Sequence, residues 1–285
     1  MLIQERINGE DVVLKTFIAI DDNLQEISQA SGHKLLPKDP RGQKAHLNAS
    51  EIITMMILGA WRGLTDKAKV YYYMLTHHKS EFPHLVSYSK FVEATNRVLR
   101  EVAALVGKII TQNRALQGSH PVVFQDSTAA PVCKVSRAKQ HKTFRAIAHK
   151  SKTGGGYYYG LKLHLQCDQE GRITALRLTA ANVDDRKMLD PMTKWINVGI
   201  VVGDKGYLSA DKAYELGSRN VQLITGTRKN MKKLATPFQL AALQARHRVE
   251  MLCTQMTKPS LLAVFVCWNH IMNLNFITCN NYSIN

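Results

Sequence analysis

The spacing of apolar residues changes period once along this 285-residue chain, and that change limits the folds open to it. Up to about residue 117 the apolar side chains recur at helical spacing. From Pro121 onward they come in short alternating or continuous runs divided by turn residues. The expectation is a helical N-terminal domain over 1–117 and an α/β domain over 118–285, with the turn-rich stretch from Gly118 to Pro121 between them.

In the first part, "LNASEIITMMILGAWRG" begins with Asn48 and Glu51 at capping-box spacing and stops near Gly63. A second helix is expected from Thr65, with Ala68, Tyr71, Tyr72 and Leu75 on one stripe. A single longer one from about Ser89 would bury Phe91, Val98, Val102, Leu105 and Ile109. Two helices and a longer third allow a helix-turn-helix arrangement on DNA as well as plain bundle packing, and no recognition helix stands out.

The second part reads β, β, β, α, β, α, β, α. "PVVFQDS" is a strand, and "YYYGLKLHLQC" and "RITALRLTA" are the arms of a hairpin. "VDDRKMLDPMTKWI" suits a helix, "GIVVGD" is a buried strand and "SADKAYELGSRN" a helix closed by Gly217. "VQLIT" is a strand, and a long helical region begins near Pro237. Three strands joined by antiparallel turns and followed by βα units describe a mixed five-stranded sheet with flanking helices, the order of a ribonuclease H-like fold.

Two of the apolar strands end in an acid: "VVFQD" at Asp126 and "VVGD" at Asp204. Neighbouring strands at the centre of a sheet would carry both carboxylates to one edge. A pair of hard oxygen donors is what Mg²⁺ or Mn²⁺ needs, and two such ions activate an attacking hydroxyl and stabilise a leaving oxygen in phosphoryl displacement. Glu250 in "LQARHRVEMLCTQM" is the candidate third carboxylate. Arg246 lies four residues before it on the same helical face, and Arg248 lies nearby. Each acid has a plainer reading. Asp126-Ser127 and Asp204-Lys205-Gly206 are good turns, and Glu250 with Arg246 makes a surface ion pair.

Charge points to the partner. With 38 Lys and Arg against 22 Asp and Glu, the net charge is +16, which favours a polyanion because each neutralised phosphate releases counterions. The tract "CKVSRAKQHKTFRAIAHKSKTGGG" holds Lys134, Arg137, Lys139, Lys142, Arg145, Lys150 and Lys152 with no acid. "TRKNMKK" adds Arg228 and Lys229 directly after a strand, and Lys205 beside Asp204 could sit over a phosphate. The five cysteines contain no C-x-x-C pair and suggest neither a disulfide framework nor a zinc site. The longest apolar run, Leu261 to Trp268, is too short to span a membrane, and a soluble protein in a reducing cytosol is expected.

Taken together, "FQDSTAAPVCKVSRAKQHKTF", the "GYYYGLKLHLQC" hairpin, "VVGDKGYLS", "LITGTRKNMKK" and "ARHRVEMLCTQM" resemble the DDE-type transposases of bacterial insertion sequences, in particular the insertion sequence 982 family. The resemblance implies Asp126, Asp204 and Glu250 as the metal-binding catalytic acids, with two Mg²⁺ or Mn²⁺ ions. It also implies strand cleavage at terminal inverted repeats, transfer of the 3′-hydroxyl to target DNA, and a homodimer in the synaptic complex. Related enzymes often carry a tyrosine three residues before the final-helix arginine and a lysine seven after the glutamate. Leu243 and Thr257 stand there in this chain. A nuclease that hydrolyses without joining, or a DNA-binding regulator on an inactive core, are the alternatives.

Three polar residues carry smaller expectations. Asp184 and Asp185 suit the first turn of a helix better than metal ligation. His164, on the Lys162 face of its strand, suits a structural role better than a catalytic one. Gly203 and Gly206 are expected to keep the backbone open around Asp204.

Overall fold

The computed structural model describes residues 12–31, 47–64, 66–142, 144–226 and 236–255. The chain divides into two compact units, with the division between Ile109 and Ile110.

The first unit is helical. Its elements are α1 (Val12–Ser31), α2 (Ala49–Trp61), α3 (Lys67–His77), α4 (Tyr88–Arg97) and the greater part of α5 (Leu99–Ala115). The capping box on α2 forms as expected: the Glu51 amide donates to Asn48 Oδ1 and the Asn48 amide to a Glu51 carboxylate oxygen, both at 2.7 Å. The stripe expected on α3 is displaced. Val70, Tyr71 and Met74 are buried, whereas Tyr72 and Leu75 are exposed. Gly59 on α2 lets Val70 approach so closely that a Cβ there would lie 2.5 Å from its methyl carbon, and this contact sets the face that α3 presents. The expected third helix breaks at Val98 into α4 and α5. Phe91, Val98, Val102, Leu105 and Ile109 are all buried, as the stripe required.

The second unit contains the sheet. Its strands are β1 (Val122–Cys133), β2 (His149–Thr153), β3 (Gly156–Cys167), β4 (Ile173–Ala180), β5 (Gly199–Gly203) and β6 (Val221–Thr225). The helices are α6 (Leu189–Thr193), α7 (Ala210–Gly217), α8 (Pro237–Ala245) and α9 (His247–Gln255). The order β2-β3-β1-β5-β6, with β4 also on β3, is that of a ribonuclease H-like mixed α/β fold. β1 and β3 are antiparallel, whereas β1, β5 and β6 run parallel.

The sheet has six strands where five were expected. The extra one, β2, forms from "HKSKT" inside the basic tract. It pairs with Gly156–Gly160 of β3, and β4 pairs with the stretch from Leu161 to Cys167. β2 and β4 therefore follow one another along β3, and the sheet stays five strands wide.

Alternation gives the sheet two covered faces. Val123, Val201 and Val221 pack with Leu189, Ile196, Leu216 and Tyr207 on one side. On the other, Phe124, Leu163, Leu165 and Cys167 are buried beneath α9, which contributes Val249, Leu252 and Cys253. Each fully buried side chain of this kind contributes roughly 1.5–3 kcal/mol. Among the described residues Cys133, Cys167 and Cys253 are free thiols, and no helix is long and apolar enough to cross a membrane. The segment from Leu261 to Trp268 lies outside the described residues.

Candidate active site

β1 and β5 are in parallel register with Phe124 opposite Val202. β5 ends at Gly203, whereas β1 continues to Cys133 on the strength of its pairing with β3. Asp126 is therefore not the end of its strand, as the sequence suggested. It stands where β5 leaves the sheet and one side of β1 is opened. Asp204 follows the last residue of β5 in extended conformation and caps a 3-10 turn over Lys205–Tyr207.

The turn readings of both acids are correct in themselves. The Ser127 amide donates to Asp126 Oδ1 at 2.8 Å, and the Gly206 amide donates to Asp204 Oδ1 at 2.7 Å. These bonds fix each carboxylate by its own backbone and leave its second oxygen available.

The third acid comes from α9, whose buried Val249, Leu252 and Cys253 anchor the helix on β1 and β3. Glu250 accepts a hydrogen bond from Arg246, at the junction of α8 and α9, so the ion-pair reading also holds. Arg246 Nε is buried with no hydrogen-bond partner among the described residues.

Burial dominates the electrostatics of Asp126, and the charges of Arg246, Asp204 and Glu250 all act on it. Burial pushes its carboxyl up to about 6; the Ser127 amide and the Arg246 guanidinium pull it back, and the Asp204 and Glu250 carboxylates push it further up. Cys253, whose thiol is raised first by burial and then by Asp126, marks how closely α9 approaches the same carboxylate.

As a donor set, two aspartates and a glutamate suit a hard divalent cation. Arg246 is the cation among the described residues whose charge acts on Asp126. Among the described residues no three His, Cys, Asp or Glu side chains are grouped so as to hold an ion by themselves. The hard carboxylate oxygens of Asp126 and Asp204 would suit a divalent cation completed by water or phosphate, whereas Glu250 is held in its ion pair with Arg246.

The other expected site residues are spread more widely. Lys205 is exposed, and its side chain runs against Gly226, where a Cβ would meet Lys205 Cγ at 3.0 Å. Arg248 is half-buried and its charge acts on Cys167; the charges acting on Asp126 are Arg246, Asp204 and Glu250. Lys142 and Arg145 are exposed in the loop after the 3-10 helix Val135–Gln140. Arg228 and Lys229 lie outside the described residues.

Asp184 caps the 3-10 helix Asp185–Met188, accepting from the Arg186 amide at 2.9 Å. Asp185 instead pairs with Lys162 at 3.1 Å and His164 at 3.6 Å. His164 is opposite Ser127, so it faces away from the side of β1 that carries Asp126. Burial moves its imidazole below the ordinary range.

One feature beside Asp204 went unread in the sequence. Tyr207 is buried, and its ring lies so close to Gly203 that a Cβ there would meet it at 2.9 Å. Burial raises its phenol well above the usual value, with the Asp185, Asp126 and Asp204 carboxylates adding to the effect. Gly203 thus makes room for a ring. Gly206 makes room for Asp204 itself, since its Cβ would lie 2.9 Å from Oδ1. The signal was present in Tyr207 as the apolar residue closing the first turn after β5.

Comparison with known proteins places this geometry. Residues 117–263, just over half of the chain, match the model of the family described as "Transposase DDE domain". Comparison with curated proteins returned no match. Among solved structures, the piggyBac transposase in its synaptic complex with hairpin DNA is similar in fold at 10% identity. The TM-score is 0.50, and the likeness covers 94% of this chain and 74% of that one.

Proposed function

The chain belongs to the family of transposase DDE domains, and from that premise we propose that it is a metal-dependent DNA transposase of an insertion sequence of the 982 type. It cleaves strands at the element's terminal inverted repeats and transfers the freed 3′-hydroxyl to target DNA. The observation that carries this reading is geometric: the β1–β5 register sets Asp126 and Asp204 each two residues beyond the paired Phe124 and Val202, and α9, packed on β1, brings Glu250 and Arg246 to the same unit.

Asp126, Asp204 and Glu250 are the proposed catalytic acids and the ligands of two Mg²⁺ or Mn²⁺ ions. Those ions, when bound, activate the attacking oxygen and stabilise the leaving one. The protein's own part is positional. Ser127 and Gly206 amides hold the two aspartates in place, and the burial of Val249, Leu252 and Cys253 holds the helix that carries Glu250. Arg246, beside Asp126, is placed to meet a phosphate once Glu250 turns to a cation. Lys205 and Arg248 on the same unit, with Arg228 and Lys229, provide further backbone contacts. Exposed Lys142 and Arg145 draw duplex DNA in by charge.

The helical domain over 1–117 is assigned to recognition of the element ends, and 118–285 to chemistry. The piggyBac neighbour is a synaptic complex with hairpin DNA, which supports DNA as the partner here; a homodimer in the synaptic complex is part of the proposal. The assigned location is the bacterial cytoplasm, at the nucleoid.

The test uses the full chain, DNA carrying both flanks of its gene, a target plasmid and Mg²⁺ or Mn²⁺. Joined products are expected. Cleavage without joining would make the protein a nuclease, and end-specific binding without cleavage would make it a regulator.

A further inference from the structure

No acid occurs between Asp126 and Asp168, and that stretch includes the β2–β3 hairpin. Gly154 and Gly155 form its two-residue loop, with Thr153 paired to Gly156. Lys152 is opposite Tyr157, and Lys150 is opposite Tyr159, so all four side chains share one face. The ammonium groups of Lys150 and Lys152 lie 5.2 and 5.5 Å from the centre of the Tyr157 ring. That ring is still 64% exposed. Tyr159 is met edge-on by His141, which is itself stacked on the exposed Phe144 at 5.9 Å.

This face is the one that carries Asp126. Asp126 pairs with Leu165, and residues 157, 159 and 165 of β3 alternate onto the same side. At about 3.3 Å per residue, Tyr159 and Tyr157 stand about 20 and 26 Å along the strand from the level of Asp126. At about 3.4 Å per nucleotide step, this corresponds to roughly six to eight nucleotides of DNA.

Resting on the transposase reading, we propose that the Tyr157 ring with Lys150 and Lys152 is a stacking site for an unpaired base of a DNA strand, roughly six to eight nucleotides from the scissile phosphate. The ring receives the face of the base, and the two ammonium groups receive its flanking phosphates. A paired base inside a duplex has no free face to offer, so the site selects an extruded or single-stranded nucleotide. The acid-free segment, with Lys150 and Lys152 at the ring, supplies the charge complementarity, and the open ring supplies the platform.

The test is fluorescence quenching of 2-aminopurine within a single-stranded 12-mer, and within its matched duplex, on titration with the full chain. The single strand should bind more tightly and be quenched. Tyr157→Leu should weaken it about 5- to 100-fold and abolish quenching, whereas Tyr157→Phe should keep both. Lys150→Ala and Lys152→Ala should each reduce the salt slope of binding by about one. Unchanged quenching in Tyr157→Leu, with an unaltered thermal midpoint, would overturn the proposal, as would equal binding of duplex and single strand. The two readings fail separately: quenching without metal-dependent cleavage of any DNA leaves the patch and removes the transposase, whereas cleavage without Tyr157-dependent quenching does the reverse.

Discussion

Asp126 and Asp204 each lie two residues beyond the paired Phe124 and Val202 of parallel neighbours, Asp126 still within β1 and Asp204 one residue past the end of β5. Adjacent strands are about 4.8 Å apart, a spacing at which two carboxylates would be able to share one cation, as the proposed function requires. Asp126→Ala and Asp204→Ala should therefore each lower metal-dependent strand cleavage at least about 100-fold, in the range seen when one group that stabilises a transition state is removed. DNA affinity, measured by mobility shift, should stay within about threefold. Cleavage above about a tenth of the wild-type rate in either variant would remove that aspartate from the site.

The raised carboxyl of Asp126 gives a pH dependence with a definite sign. Its folded value of about 6 lies above the ordinary 3.8, because burial favours the neutral acid. Stability from this group is full below about pH 4 and is lost as pH rises through about 6. In chelator, Asp126→Asn should accordingly be the more stable protein at pH 7.5, by on the order of 2–3 kcal/mol, with the difference vanishing near pH 4. Denaturant melts at the two pH values check this. A variant less stable than wild type at pH 7.5 would show that the carboxylate is well compensated in the free protein.

How much of this was readable in advance depended on how far burial controls the local pattern. The strands around Asp126 and Asp204 were legible because both of their faces are covered, which forces continuous apolar runs that stop where the acid stands. The Arg246–Glu250 ion pair was legible from the four-residue spacing on one helical face. β2 was not, because "HKSKT" is exposed and polar; pairing with β3 makes it a strand, and no periodicity reveals an edge strand of this kind. The α3 stripe was misplaced because Tyr71 and Tyr72 are equally aromatic, and the decision between them lies in Gly59 admitting Val70 from another helix. Tyr207 was missed because it follows β5 in a 3-10 turn, outside any regular element long enough to show a period.

Asp185 offers a separation of structure from chemistry. It pairs with Lys162, whose ammonium also donates to the Val183 carbonyl at 2.8 Å, and with the fully buried His164. Asp185→Ala leaves that lysine with a carbonyl partner and the imidazole with Thr179, at 2.8 Å. The loss should be roughly 1–3 kcal/mol of stability by denaturant melt. Cleavage per folded molecule should stay within about threefold, since Asp185 is engaged on the opposite sheet face. A 100-fold loss in a folded protein would move Asp185 among the catalytic acids.

Two glycines should respond to alanine with opposite signs. Gly160 on β3 lies against the bulged part of β1, where the register shifts between Pro131 and Cys133. A Cβ on Gly160 would lie 2.3 Å from the Ala130 carbonyl oxygen and 2.9 Å from Pro131 Cα. Those are backbone atoms held by the ladder, so β1 and β3 must separate, and Gly160→Ala should lower stability by about 1–3 kcal/mol or more. The displacement would act on the same strand pair that carries Asp126, and metal-dependent cleavage should fall with it. Gly107, exposed within α5, has no atom of the described residues within 4 Å of its notional Cβ and no positive φ. Gly107→Ala should raise stability by about 0.5–1 kcal/mol, because alanine has less chain entropy to lose in a helix. Thermal and denaturant melts of the two variants should move in opposite directions. Equal shifts would mean that the close approach of β1 and β3 at Gly160 is absent in solution.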